Sequence, residues 1–151
     1  MAGFDCAGGA GVGAAALVAQ ALRACGYSNV YSGVPSALFC CEPLVVRQHE
    51  YERAARFDDG TERGCERVRV YVCMDYEPDA AGTAAAVCRD LANADWAAVH
   101  EWATAQYGEE AVRIVAVSAG APDDLGRDSS GRWVRAIDLL CTVVRPSGDE
   151  E

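Results

Sequence analysis

Residues 111–145 carry the clearest pattern in the chain: AVRIVAVS at 111–118, GAPDDLGRDSSG at 120–131 and RWVRAIDLLCTVVR at 132–145. In the last segment, the residues sharing one face are Trp133, Ile137, Leu139, Cys141 and Val143. In the first, one side is expected to hold Val112, Ile114 and Ala116, and the other Arg113, Val115 and Val117. Period-two patterning between clusters of Gly, Pro, Asp and Ser predicts two strands joined by a long polar loop.

A second strand pair is predicted earlier in the chain. Residues 43–57 form its first strand, 58–60 its turn, and 66–76 its return strand. One side of the return strand holds Val68, Val70, Val72 and Met74, and the other Arg67, Arg69, Tyr71, Cys73 and Asp75. This alternation predicts one buried face and one face that is hydrated or in contact with a partner. A further short strand is predicted at 27–31.

Three helices are predicted from apolar residues at helical spacing, over 10–25, 80–93 and 95–107. Asp79 and Asp95 are expected to cap the second and third helices at their N-termini. Gly26 and Gly108 are expected to end the first and third.

This order of elements predicts an α+β fold of two layers, with a mostly antiparallel sheet of two hairpins and helices packed on one face. Residues 10–145 are predicted to form a single domain. Residues 1–9 are expected to be flexible, and residues 146–151 to form a frayed acidic tail.

Composition limits the classes of partner. The chain has 151 residues, 51% of them apolar, with a net charge of −10 and a pI near 4.6. An acidic chain is poorly suited to binding a phosphate backbone, so no specific nucleic-acid binding is expected. No apolar run approaches the ~20 residues of a membrane helix, so no membrane contact is expected.

The chain contains eight cysteines: Cys6, Cys25, Cys40, Cys41, Cys65, Cys73, Cys88 and Cys141. The start lacks the basic and continuous apolar regions of a secretion signal, and no CxxC spacing is present. We therefore expect free, largely buried thiols in a reducing cytoplasm rather than a disulfide or zinc framework.

Known chemical motifs each fail at a required position. Ala14 stands where a dinucleotide loop needs its third glycine, and Thr104 where a zinc-protease helix needs its second histidine. Ser129 and Ser130 lack the G-x-S-x-G context, and the nearby aspartates lack EF-hand spacing. No catalytic residue, cofactor or metal site is therefore predicted.

The loop between the last two predicted strands is the best remaining site. Hairpin loops usually have about two to five residues, so a longer one is either tolerated slack or reaches a partner. Arg and Trp are enriched at protein contacts, which favours the second interpretation. The predicted interaction residues are Asp123, Asp124, Arg127, Asp128, Arg132 and Trp133.

The segments RIVAVSAGAP, GRDSSGRW and WVRAIDLLCTVVRP resemble the C-terminal end of tailed-phage and prophage tail-terminator and minor capsid (head–tail joining) proteins. The resemblance covers residues 43–145, and residues 10–42 agree in layout. The high cysteine content and the Gly-rich start depart from that pattern.

The resemblance implies a virion structural protein without catalytic residues. It implies a ring, usually of six copies, that ends the tail tube and joins it to the head. The expected partners are further copies of the chain, tail-tube subunits and head-connector proteins. The expected location is the cytoplasm of the bacterial host during assembly, and then the virion.

Two alternatives from other classes stay open at this stage. One is a small cytoplasmic enzyme with a cysteine or histidine in a cleft, for example His49 and His100 brought together by the fold. The other is a non-phage binding module of the α+β class with a stable 1:1 partner.

Overall fold

The computed structural model describes residues 13–32, 42–56, 60–108 and 112–146. Within these ranges the elements are α1 (Ala14–Ala24), β1 (Val30–Ser32), β2 (Leu44–Arg56), β3 (Thr61–Met74), α2 (Glu77–Ala92), α3 (Trp96–Tyr107), β4 (Arg113–Ala119), β5 (Asp123–Arg127) and β6 (Trp133–Pro146). None of the helices described here is long and apolar enough to cross a membrane.

The strands form one mixed sheet in the order β1-β2-β3-β6-β4, and β5 also pairs with β6. Only the pairing of β1 with β2 is parallel among the described strands; the other four are antiparallel. The long strands β3 and β6 are paired along their full length, from Thr61 opposite Pro146 to Met74 opposite Trp133. The predicted α+β class with a mostly antiparallel sheet is confirmed.

The helices pack on one face of this sheet, as predicted. The even-numbered side chains of β3 point to that face, because neighbouring side chains of a strand alternate sides. Val68, Val70 and Val72 are at most 1% exposed there, beside Ile137 and Leu139 of β6. The apolar stripes of α1 and α2 complete the same core, through residues such as Leu17, Leu22, Val87 and Leu91.

Several element boundaries differ from the sequence prediction. β3 begins at Thr61 rather than at residue 66, and β6 runs through Pro146, which was predicted to belong to the tail. The predicted N-cap at Asp79 is wrong, because α2 already begins at Glu77, with Tyr76 as its N-cap and Pro78 in its first turn. The predicted flexible start at 1–9 and residues 147–151 of the tail lie outside the described residues.

The predicted alternation along β4 is also wrong in its second half. An irregularity between Ile114 and Ala116 inserts one extra residue into the strand, which shifts the later side chains to the opposite side. Val117, rather than Ala116, therefore packs against the core after Ile114. An alternating pattern alone does not reveal a bulge, because the extra residue is of the same apolar type as the other residues of the strand.

Candidate interaction surface

The segment predicted as a long loop is largely ordered as a β-hairpin. Residues Asp123–Arg127 form β5, which pairs with the first residues of β6 from Trp133 to Ala136. The loop prediction is therefore wrong for these residues; residues 120–122 connect β4 to β5, and residues 128–132 form the turn between β5 and β6. The hairpin of β5, this turn and the start of β6 is called the terminal hairpin below.

Asp128 holds the turn of the terminal hairpin closed. Its Oδ1 accepts hydrogen bonds from the Ser130 amide at 2.9 Å, the Ser130 hydroxyl at 2.7 Å and the Arg132 amide at 3.0 Å. The Asp128 amide donates to the Arg132 carbonyl at 2.9 Å. Partial burial acts to raise the pKa of the Asp128 carboxyl, but these hydrogen bonds outweigh it, so the pKa lies below its ordinary value.

Arg135 fastens the terminal hairpin to the helical layer. One of its nitrogens, Nη2, lies 2.7 Å from Glu77 Oε2 at the start of α2 and 3.7 Å from Asp124 Oδ2 on β5. On the same strand pair, the Arg127 guanidinium stacks 5.3 Å from the centre of the Trp133 ring. The hairpin is thus a paired extension of the sheet, held to the helical layer by side-chain contacts, rather than an irregular loop.

The six predicted interaction residues all lie on this hairpin, but they differ in exposure. Asp123, Asp124, Arg127 and Asp128 are exposed. Arg132 is half-buried, and Trp133 is half-buried and packs against the core. Trp133 therefore packs the hairpin against the core, and less of its side chain is available to a partner.

Leu125 is the residue on this surface that sequence reasoning missed. It lies in the middle of β5, between Asp124 and Gly126, with 50% of its surface exposed. An exposed large apolar side chain on a rigid hairpin is suited to a protein contact. The sequence signal that could have identified it is a single leucine within an otherwise polar and Gly-rich stretch.

The fold separates the two histidines that could have formed a catalytic pair. His49 lies on β2 beside Arg67, Arg69 and Asp138, on the sheet face away from the helices. His100 lies in α3, which packs with α1 and β4 in the helical layer. Across the described ranges no three metal-ligating side chains cluster together.

The described thiols are poorly suited to nucleophilic chemistry. All five, which are Cys25, Cys65, Cys73, Cys88 and Cys141, are free, and only Cys25 is exposed. Burial raises the pKa of Cys141 to about 12 and also raises the pKa of Cys25, Cys73 and Cys88. A raised pKa leaves less of the thiolate, which is the reactive form.

The chain matches no protein-family model, and no curated protein matches it either. Among solved structures, it is similar to a chain of the virion of a native gene transfer agent particle. The TM-score is 0.53 at 20% sequence identity, and the match covers 87% of this chain and 92% of the other. A likeness at this level of identity shows a shared fold alone. It does not assign a function, because one fold serves many functions.

Proposed function

We propose that the protein is a structural subunit of a phage-like virion, with the role of a tail terminator. In this role, copies of the chain form a ring that ends the tail tube and joins it to the head. The supporting observation is that the fold likeness to a virion chain extends over nearly the whole of both chains. A likeness of this extent involves most elements of the fold rather than one recurring motif.

The terminal hairpin is proposed to contact a neighbouring subunit or tail protein. A closed ring needs two different surfaces on each copy that fit each other head to tail. The hairpin carries an exposed leucine in the same short strand as the exposed polar residues Asp123, Asp124 and Arg127. A central apolar side chain within a polar rim is the usual anatomy of a protein contact.

The state of assembly tests the proposal directly. Sedimentation velocity and mass photometry at micromolar concentration are run on the full chain, alone and with tail-tube subunits encoded in the same genome. We expect a closed oligomer of several copies, either alone or once the tail-tube subunits are added. A chain that stays monomeric under both conditions contradicts the proposed function.

The hairpin's part is tested by Leu125→Asp, which puts a charge at the centre of the proposed contact. We expect this variant to weaken assembly roughly tenfold or more, since a hot-spot side chain contributes about 2 kcal/mol or more. Ser28→Asp is the matched control, because Ser28 is exposed in the turn between α1 and β1 and the change adds the same charge. Equal assembly of both variants would place the contact elsewhere.

A further inference from the structure

The sheet face away from the helices carries an unusual group of charged residues at its centre. In the register of the sheet, Arg47 of β2 lies opposite Arg69 of β3, and Arg69 lies opposite Asp138 of β6. In the next row on this face, Arg67 lies opposite Leu140, which lies opposite Ser118 of β4. These six residues, here called the open patch, are Arg47, Arg67, Arg69, Ser118, Asp138 and Leu140.

The open patch is accessible and forms a shallow groove. Five of its residues are exposed, and the Arg69 side chain is 33% exposed. A groove of about 320 Å³ lies between Arg67, Arg69 and Asp138, with Leu140 as its apolar wall and with His49 and Glu50 of β2 also lining it. Leu140 is 39% exposed, which is high for a leucine in a central strand.

The arginines of the patch are only partly neutralised by the chain itself. Arg69 binds Asp138 through two hydrogen bonds of 2.7 and 3.2 Å, which lower the pKa of the carboxyl. Within the described part of the chain, Arg47 and Arg67 make no ion pair. Like charges directly opposite one another in a sheet are destabilising, so the pairing of Arg47 with Arg69 has a cost that folding alone does not explain.

The opposite side of the same molecule is acidic. The exposed acids of α2 and the α3 region are Asp79, Asp95 and Glu101, and the exposed base there is Arg89. The open patch therefore carries an excess of positive charge, and the exposed residues of α2 and the α3 region carry an excess of negative charge. Such a pair of surfaces suits a head-to-tail contact between copies, which is the kind of contact that closes into a ring.

A nucleic acid is a poorer occupant for the patch. Phosphate binding favours a continuous basic surface, whereas Asp138 interrupts the arginines and Leu140 adds an apolar contact. The net charge of −10 also opposes the approach of a polyanion. A patch that mixes Arg, a carboxylate and an exposed leucine has the composition of a protein contact.

We propose that the open patch binds the acidic side of α2 and α3 on a second copy of this chain. This inference deepens the proposed function and rests on it, since it assigns a further pair of surfaces, beside the terminal hairpin, through which copies in the ring contact each other. Arg47 and Arg67, which make no ion pair among the described residues, then find carboxylates on the next copy. Leu140 lies at the centre of the contact, where it is covered by the neighbouring helices.

Charge reversal on each side separately tests the assignment. The sheet variant carries Arg47→Glu and Arg67→Glu, and the helix variant carries Asp79→Arg and Glu101→Arg. Each variant alone juxtaposes like charges, so we expect its self-association to weaken at least about tenfold. A 1:1 mixture of the two is expected to assemble, because opposite charges then face each other at every alternate contact and the other contacts are those of the native chain.

Recovery on mixing excludes misfolding as the cause of the single defects. Arg63→Glu with Arg113→Glu is the matched control, since it changes the net charge as much as the sheet variant does, and both residues are exposed opposite Val144, outside the open patch and the helices. We expect this control to assemble like the wild-type chain. Sedimentation velocity provides the readout for all five samples.

The outcomes separate this inference from the proposed function. If the wild-type chain assembles and both reversal variants assemble equally well, or if mixing gives no recovery, the inference is wrong and the proposed function stands. If the wild-type chain is monomeric with and without tail-tube subunits, both fail. If the sheet variant loses binding to random-sequence double-stranded DNA but keeps its self-association, the patch serves a nucleic acid and the inference is overturned.

Discussion

Glu66 places a carboxylate in the core where the first helix begins. It is 1% exposed and accepts hydrogen bonds of 2.7 Å from the Ala14 amide and from Gln48 Nε2. The Arg145 guanidinium lies 3.4 Å from its other oxygen. Because Gly13 provides no side-chain cap, Glu66 satisfies an amide that the helix start leaves free and places negative charge at the positive end of the helix.

Replacing Glu66 tests this anchoring role. We expect Glu66→Leu to lower the free energy of unfolding by about 2–3 kcal/mol, since it leaves buried polar partners without an acceptor. Glu66→Gln keeps one carbonyl oxygen for the Ala14 amide, so its cost is expected to be about 1 kcal/mol. Urea unfolding measures both, with the exposed Glu101→Gln as a control expected to stay within about 0.5 kcal/mol. An unchanged midpoint for Glu66→Leu would contradict the anchoring role.

The caps of α3 show which roles of single residues can be predicted from sequence, and Glu66 shows which cannot. The N-cap of α3 at Asp95 and its end at Gly108 are confirmed, with the Asp95 side chain accepting from the Ala98 amide. These signals are local, so the pattern contains both partners. Glu66 and Ala14 are 52 positions apart, and no local pattern records which helix end will meet which strand.

At the level of secondary-structure elements, β5 is the least predictable part of the fold. Its sequence DDLGR has little intrinsic preference for a strand. It forms because the turn at Asp128 reverses the chain and the start of β6 offers a free edge for pairing. The same polar residues that predicted a loop therefore form a hairpin, and their role as a contact surface stays a prediction.

The Asp128 turn gives a prediction at this level. Asp128→Ala removes the acceptor of three hydrogen bonds and is expected to cost about 1–2 kcal/mol of stability, whereas Asp128→Asn keeps an acceptor oxygen and costs less. Asp123→Ala is the matched control, because Asp123 is exposed on the same hairpin. Urea unfolding of the three variants at neutral pH gives the comparison, and equal values for Asp128→Ala and Asp123→Ala would contradict the turn's role.

The pH dependence of this contribution has a definite sign. The pKa of Asp128 is lowered in the folded chain, so ionised Asp128 stabilises the fold at every pH above the ordinary aspartate pKa, about 3.9. The contribution is lost as the pH falls through the lowered folded value. The stability difference between the wild-type chain and Asp128→Ala should therefore shrink in acid and stay constant near neutrality.

For the whole molecule, the alternation of strands and helices was sufficient to predict the α+β class. It was not sufficient to predict that β6 lies between β3 and β4, which places the last strand of the chain at the centre of the sheet. Strand order depends on long-range pairing that local periodicity does not encode. The odd-numbered arginines of β3 were predicted to lie on one face, but the opposition of Arg47 to Arg69 emerged only from the register.

This arrangement predicts how assembly depends on salt. If contacts between the open patch and the acidic helices dominate, raising NaCl from about 0.05 M to about 0.5 M should weaken self-association, since the screening length is already ~10 Å at 0.1 M. Sedimentation equilibrium across this range measures the effect. The sheet variant with Arg47→Glu and Arg67→Glu should show the opposite trend, because screening then relieves a repulsion. A wild-type association that does not weaken as salt is raised would instead assign most of the contact to apolar groups such as Leu125, since apolar burial is not screened by salt.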